Sequence, residues 1–303
     1  EKNIADIEAL ADTIKKVVTG SGTKLSDTVV AVSGSSVITK EIELPAGLTD
    51  LQMEMQIEVE ADQYIPYPME EVAFDFDVLG PVETDSDLVR VLLAACRQEN
   101  VDHRRQALDI AGLSPKVVDI EGFAIERAYR LVKGQLGKVG DQVVSIADIG
   151  ATMFTFTVLV DGKTIYSREQ LFGGKQLTEE IQRRYGLSYE EASEAKRNGG
   201  LPEDYETEVL APFKESLIQH IIRSLQFFYS SSQYNYIDQL FIAGGVSALN
   251  GLVDEVERSL GLPVAIANLL ANMQVNKLIN ASSLANDGPA MMLAVGLALR
   301  SFD

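Results

Sequence analysis

The sequence predicts an α/β protein with more than one lobe. Three observations predict it. The chain has 303 residues, 46% of them hydrophobic, which is enough to bury more than one core. Strands alternate with helices through the second half. Three glycine-marked turns, D148-I-G-A-T, G173-G-K-Q-L-T and A243-G-G-V-S, fall where strands end.

In the first half, Ile7, Leu10, Ala11, Ile14, Val17 and Val18 recur at helical spacing, and T19-G-S-G-T closes that helix. T28-V-V-A-V-S-G reads as a short buried strand ending at Gly34, and V37-I-T-K-E-I-E-L-P as an alternating strand stopped by Pro45. From about Leu48 to Pro115 the order helix, strand, strand, helix, strand suggests a small sheet with helices on one face. Its parts are a helix from Thr49 to Ala61, an extended exit Y64-I-P-Y-P, strands over 72–80 and 87–96, a helix from Asp102 to Gly112, and a strand over 113–120.

A helix over 121–133 leads into a Gly-rich joint, L131-V-K-G-Q-L-G-K-V-G-D, which is the expected boundary between halves. A hairpin over 143–168 follows, turning at Asp161-Gly162. Gly173 opens a helix to Tyr185, and Ser188 with Glu191 stands in capping-box register at the start of another. A long helix from Tyr205 to Ser230 breaks near Pro212; then come a strand ending in Gly244-Gly245, a helix from Asn250 to Gly261, a short strand over 262–268 and a closing helix over 288–300. No short-period repeat is present, which excludes a solenoid.

The formal net charge is -19 and the sequence pI about 4.5. Such a chain is repelled by DNA, RNA and anionic lipid, so no nucleic-acid partner is expected. The basic clusters Lys196-Arg197 and His103-Arg104-Arg105 read as solvated helix faces. The single cysteine, Cys96, excludes an internal disulfide and reads as a small buried hydrophobe. His103 and His220 lack Cys or His neighbours at ligand spacing, so a zinc site is not expected. No apolar run approaches bilayer length and the charged start is not a signal peptide; a reducing, cytosolic compartment is the simplest reading.

The chemistry sits at the three glycine turns. Asp148, Gly150 and Thr152 put a carboxylate, a small residue and a hydroxyl at one hairpin tip. Glycine admits backbone N–H groups to an anion, Asp148 could hold a hydrated Mg²⁺, and Thr152 could donate to a phosphate oxygen. Gly244 and Gly245 remove Cβ atoms from a strand exit where Ser247 and Asn250 offer hydrogen bonds. Each turn alone reads as an ordinary turn; all three in this order favour nucleotide binding in one crevice.

These motifs resemble the actin-like ATPase superfamily. D148-I-G-A-T is similar to its second phosphate loop, F241-I-A-G-G-V-S-A-L-N-G-L to its adenosine motif, E121-G-F-A to its first connecting helix and D287-G-P-A-M-M-L-A-V-G-L-A-L to its last. Y64-I-P-Y-P-M-E-E-V-A-F-D-F, V118-D-I-E-G-F-A-I-E-R-A and Y185-G-L-S-Y-E-E-A-S-E-A-K resemble the PilM family, cytoplasmic FtsA-like proteins of the type IV pilus machine, and the likeness runs from near residue 1 to 303. The resemblance implies an actin-like (ribonuclease H-like) two-lobed fold with an FtsA-type inserted subdomain 1C. Residues 1–34 and 116–140, closed by 288–303, would form part of subdomain 1A; 35–115 subdomain 1C; 141–172 and 236–287 subdomain 2A; and 173–235 subdomain 2B.

The same resemblance implies roles. Asp148 would orient Mg²⁺-bound water; Gly150 and Thr152 would contact the β-phosphate; Gly173, Gly174 and Lys175 would form the loop opening subdomain 2B; Glu194 and Lys196 would edge the ribose or adenine; Gly244, Gly245 and Ser247 would clamp the adenosine. Glu121 would be the catalytic acid that orients an attacking water, or else an acid favoured at a helix N-terminus; Lys196 is also read as a solvated helix face. The family's first phosphate loop, D-x-G-x-x-S on a strand hairpin, is expected ahead of Glu1. The N-terminal strands are therefore read as missing, with ATP or ADP and Mg expected in the full-length protein and none in this fragment, which would be at most a weak ATPase. Implied partners are the N-terminal cytosolic peptide of the inner-membrane protein PilN, in a groove between subdomains 1A and 1C, pilus motor ATPases, and a second copy of the chain in a homo-oligomer. The implied function is a cytoplasmic adaptor in pilus biogenesis and twitching motility, recruited to the inner membrane by its partner. An FtsA-like filament protein or a small-molecule kinase of the same superfamily is the alternative.

Overall fold

The computed structural model describes residues 4–60, 63–136, 142–271, 273–274 and 281–300, the side chains of 281–283 excepted. Of the sequence-read elements, Ala61, residues 137–141 of the Gly-rich joint, residues 272 and 275–280 of the proposed subdomain 2A, and residues 301–303 lie outside the described residues. Two compact units divide between Glu121 and Gly122.

The first unit begins with α1 (Ile7–Ser21), whose N-terminus is held by Asp6: its carboxylate accepts from the Ala9 N–H at 2.9 Å. β1 (Asp27–Val32) pairs in parallel with β5 (Ser114–Ile120), with a register shift where Pro115 interrupts the ladder. Between them β2 (Val37–Pro45), β4 (Asp85–Arg97) and β3 (Val72–Val82) form an antiparallel sheet in the order β2-β4-β3. α2 (Asp50–Glu60) covers one face: Met53 and Ile57 meet Ile42, Leu44, Val91, Leu93 and Ala95. Thr49 and Gln52 close a capping box, the Gln52 side chain accepting from the Thr49 N–H at 2.9 Å and the Thr49 hydroxyl from the Gln52 N–H at 3.4 Å. Cys96 is buried, as read, and burial raises its thiol pKa.

α3 (Gln98–Ile110) starts four residues before the sequence-read Asp102. Its first turn, Gln98-Glu99-Asn100, carries no apolar residue, so hydrophobic spacing cannot register it. Arg104 corrects the reading of a solvated face: it is partly buried, and its guanidinium donates to the Ala31 carbonyl at 2.7 Å and the Asn100 carbonyl at 2.8 Å.

The second unit is built on the five-stranded sheet β10-β9-β6-β7-β8, comprising β6 (Val143–Ile149), β7 (Met153–Val160), β8 (Lys163–Leu171), β9 (Gln239–Ala243) and β10 (Val264–Ile266). β6, β7 and β8 are an antiparallel meander, while β9 and β10 join in parallel. Both faces are covered, which is why V143-V-S-I-A reads as a continuous apolar run. On one side Phe154, Phe156 and Ile149 pack with α5 (Gly174–Tyr185) and α7 (Ala211–Ser231). On the other, Val144, Ile146 and Phe241 pack with α4 (Glu121–Val132) and with Met292 of the last helix. Between α5 and α7 lies α6 (Tyr189–Asn198), which carries the predicted capping box of Ser188 and Glu191. α8 (Leu252–Leu260) follows β9 and is tied to α7 by the Lys214–Glu255 ion pair at 2.8 Å.

The break near Pro212 is a π-helical turn over Glu206–Leu210, after which Pro212 takes the first turn of α7, where its missing N–H costs nothing. The closing helix read over 288–300 opens as a 3₁₀ turn at Gly288–Met291 before α10 (Met292–Ala298), and α9 (Ala281–Asp287), which the sequence reading did not mark, precedes it. Pro289 lacks the N–H that a continuous helix would need there.

The hairpin turn is type I′, with Asp161 at φ 52° and Gly162 at φ 79°. It rests on α4. Glu126, an acid on an otherwise apolar helix face, accepts from the Thr164 N–H at 2.7 Å, and the Tyr129 ring lies against Gly162. Burial first, and then Asp161, pushes the Tyr129 hydroxyl up to about 12. α10 crosses α4 so closely that a Cβ on Gly296 would enter the Ala124 carbonyl, and Arg127 Nε donates to the Gly296 carbonyl at 3.0 Å. Gly296→Val is expected to lower stability by about 3 kcal/mol, read as a shifted urea midpoint at unchanged slope; an unshifted midpoint would show that the two helices slide apart freely.

Candidate functional site

Asp148 is the penultimate residue of β6, between Thr155 of β7 and Ala243 of β9, so two ladders fix its backbone while its side chain is half-buried at the strand's end. The tip that follows is closed by the Gly150 N–H donating to the Met153 carbonyl at 2.9 Å. The tip then binds the start of α5: the Gly174 N–H donates to the Gly150 carbonyl at 3.0 Å, and the Lys175 N–H to the Ala151 carbonyl at 2.8 Å. Two of the N–H groups that a helix N-terminus leaves without intrahelical partners are thus satisfied by the hairpin.

Glycine is required at two of these crossings. A Cβ on Gly173 would lie 2.5 Å from the Ala151 carbonyl oxygen and 2.6 Å from that of Gly150. Gly244, at φ +84°, comes closer: a Cβ there would enter the Ile149 carbonyl and lie 2.6 Å from Asp148 Oδ1. Gly244 is held from outside by its N–H donating to the Pro289 carbonyl at 2.9 Å. The buried Ser247 hydroxyl turns inward and donates to the Gly244 carbonyl at 2.7 Å. The three sequence-distant turns are therefore one backbone cluster on the carbonyls of Ile149, Gly150 and Ala151, with the Asp148 carboxylate at its Gly244 edge.

Lys196 completes it. Its ammonium donates to Thr178 Oγ1 at 2.6 Å and to the Gly174 carbonyl at 3.1 Å. The solvated helix face read for this residue is corrected: α6 packs on α5 and draws the side chain in, and burial, then Arg197, holds its pKa below the ordinary lysine range. Thr178, the last residue of the G173-G-K-Q-L-T turn and given no role in the sequence reading, is buried and also donates to the Gly174 carbonyl.

Other predicted residues lie at the margin. Thr152 and Gly245 are exposed. Lys175 is exposed, its ammonium 3.7 Å from Glu179 in a same-helix pair. Glu194 faces outward from α6 into a hollow shared with Tyr189, Ser193 and Arg197. Glu121 opens α4 at the end of the first unit and lies in the field of Arg104. Among the described residues no group of three or more His, Cys, Asp or Glu is placed to hold a metal ion, so a cation here would rest on Asp148 and on oxygens brought by a ligand.

Comparison with known proteins follows the same lines. A family model described as type IV pilus assembly protein PilM matches residues 1–302. A solved structure of a PilM-PilN type IV pilus biogenesis complex is similar at 32% identity and a TM-score of 0.77, over 99% of this chain and 87% of that one. Ethanolamine utilization protein EutJ from Carboxydothermus hydrogenoformans is similar at 16% identity and a TM-score of 0.55, over 98% of this chain and 76% of that one. MreB5 of Spiroplasma citri bound to ADP follows at 13% identity and 0.50, over 98% of this chain and 75% of that one. The last two share the fold alone, which is actin-like.

Replacing the docked ammonium separates a structural cluster from a loose surface. Lys196→Met is expected to lower stability by about 1–2 kcal/mol, and Lys175→Met by less than about 0.5 kcal/mol. Equal urea midpoints for the two variants would show that Lys196 does not tie α6 to the cluster.

Proposed function

The chain belongs to the family of the type IV pilus assembly protein PilM, and from that premise we propose that it acts as a nucleotide-binding adaptor of the pilus machine. In this reading it binds the N-terminal cytosolic peptide of PilN, links that inner-membrane protein to the cytoplasmic motor ATPases, and sits at the membrane only through its partner. ATP or ADP serves as a structural or switching ligand, with turnover slow or nil.

The observation that carries the nucleotide is the convergence of Gly150, Gly173, Gly174 and Gly244 on the carbonyls at the tip of β6 and β7, with the Asp148 carboxylate beside Gly244. Bare backbone at the end of a sheet admits phosphate oxygens closely, and Asp148 is placed to hold a hydrated Mg²⁺ beside them. Thr152 and Lys175, both exposed, would add a hydroxyl and a charge, and in this reading Gly245, Ser247, Glu194 and Lys196 would border the adenosine. The MreB5 structure bound to ADP supports the ligand class.

PilN as partner is supported by the complex matched over nearly the whole chain. The proposed seat is the groove between subdomains 1A and 1C. Charge supports it: Glu41, Glu43, Asp75 and Asp77 share the face of the first unit's three-stranded sheet turned away from α2, around Leu92 and Ala94. Such a surface suits a juxtamembrane peptide carrying Lys or Arg. Arg90 on the same face is held near Glu41 at 3.8 Å.

The test uses the full-length protein, with calorimetric titration of MgATP and fluorescence anisotropy of a synthetic PilN N-terminal peptide. Asp148→Ala is expected to weaken MgATP at least about tenfold, or roughly 1.4 kcal/mol, and to leave peptide affinity within about twofold. Unchanged nucleotide affinity in that variant removes Asp148 from the site. A wild-type protein that ignores the peptide, or that phosphorylates a sugar with rapid turnover, overturns the adaptor.

A further inference from the structure

α2 is apolar on two opposite sides. Its inner side, Met53 and Ile57, is locked into the core of the three-stranded sheet. Its outer side carries Leu51, Met55 and Val59, exposed by 65%, 59% and 84%. Positions i, i+4 and i+8 fall within about 80° of arc and about 12 Å of helix length, so the three make one continuous ridge. Other large exposed apolar side chains of the first unit, such as Val17, Leu25 and Ile110, stand on separate elements.

The flanks of the ridge are asymmetric. Glu54 and Glu58, both exposed, run along one side, and Gln52 and Gln56 along the other. α2 contains Asp50, Glu54, Glu58 and Glu60 and no basic residue. Glu60 is engaged below, accepting from Gln56 and from the Tyr64 hydroxyl. The ridge is preorganised, because the capping box at Thr49 and Gln52 and the buried inner side fix the helix before anything docks.

Charge selects the occupant. In an antiparallel pair a second copy of α2 would lay its acidic rail against this one, in a parallel pair each acidic rail would face glutamines that offer no countercharge, and an anionic membrane would repel the acidic rail. We propose that this ridge docks an amphipathic helix of a partner protein, with an apolar stripe of i, i+4 spacing flanked by Lys or Arg that face Glu54 and Glu58. The inference does not depend on the nucleotide site or on the PilN groove.

The probe is a fluorescent helical peptide of leucine, alanine and lysine, leucines in one stripe, with a twin carrying glutamate for each lysine. Binding to the full chain is read by anisotropy. The lysine peptide is expected to bind at least about tenfold more tightly than its twin, and Met55→Gln with Val59→Gln to weaken it by about tenfold at unchanged melting temperature. Glu54→Gln with Glu58→Gln should weaken it severalfold and flatten its salt dependence, whereas removing the same charge at Glu203 and Glu206 should not. Equal binding by the ridge variants would mean only general attraction to an acidic protein and overturns the proposal. So does wild-type self-association in sedimentation, or capture by phosphatidylglycerol vesicles, that the ridge variants abolish.

Discussion

The second unit depends on backbone lying directly on backbone. The carbonyls of Ile149, Gly150 and Ala151 form a short row at the tip of β6 and β7, and two other segments press on it, one at Gly173–Lys175 and one at Gly244. Neither approach survives the addition of a Cβ. The three segments are far apart in the chain, so steric emptiness, rather than any side-chain contact, brings a strand end, a helix start and a strand exit to one place. Gly244 is pinned from behind by Pro289 and Gly174 by Lys196, so each approach is supported on its far side. The Asp148 carboxylate acquires its surroundings from that packing.

Much of this was legible in the sequence, for identifiable reasons. Glycine at a strand end is a local signal, and three in succession pointed to the cluster. Ser188 with Glu191, and Asp161 with Gly162, are short-range chemistries that need no knowledge of the fold. The contacts that escaped work over long sequence distances. Lys196 finds Gly174 only after α6 has folded onto α5, and Arg104 finds the Ala31 carbonyl 73 residues away. Glu126 did leave a trace, since an ionisable residue among Ile125, Ala128 and Tyr129 on an apolar helix face calls for a buried partner. The first turn of α3, the 3₁₀ opening of the last helix and α9 before it were missed because periodicity sees apolar residues, not backbone hydrogen bonds.

Acidity shapes the first unit in two ways. It sets a net charge of -19 over the whole chain, and it gives the three-stranded subdomain a sign on both sides, through Glu41, Glu43, Asp75 and Asp77 on one and Glu54 and Glu58 on the other. In the two proposed docking faces the apolar residues at the centre would supply contact area and the acids around them discrimination.

The parallel pairing of β6 with β9 sets an order of assembly. The meander of β6, β7 and β8 closes through short turns and can form as soon as it is synthesised, whereas the Val143 N–H meets Asp238 across 95 residues. Loop closure on that scale comes late. Gly244 lies beyond β9 and donates its N–H to the carbonyl of Pro289, a further long stretch of chain away. The backbone cluster beside Asp148 therefore closes only once β9 and the Pro289 segment have been added to the meander, and a ligand held there would report that these late segments are in place.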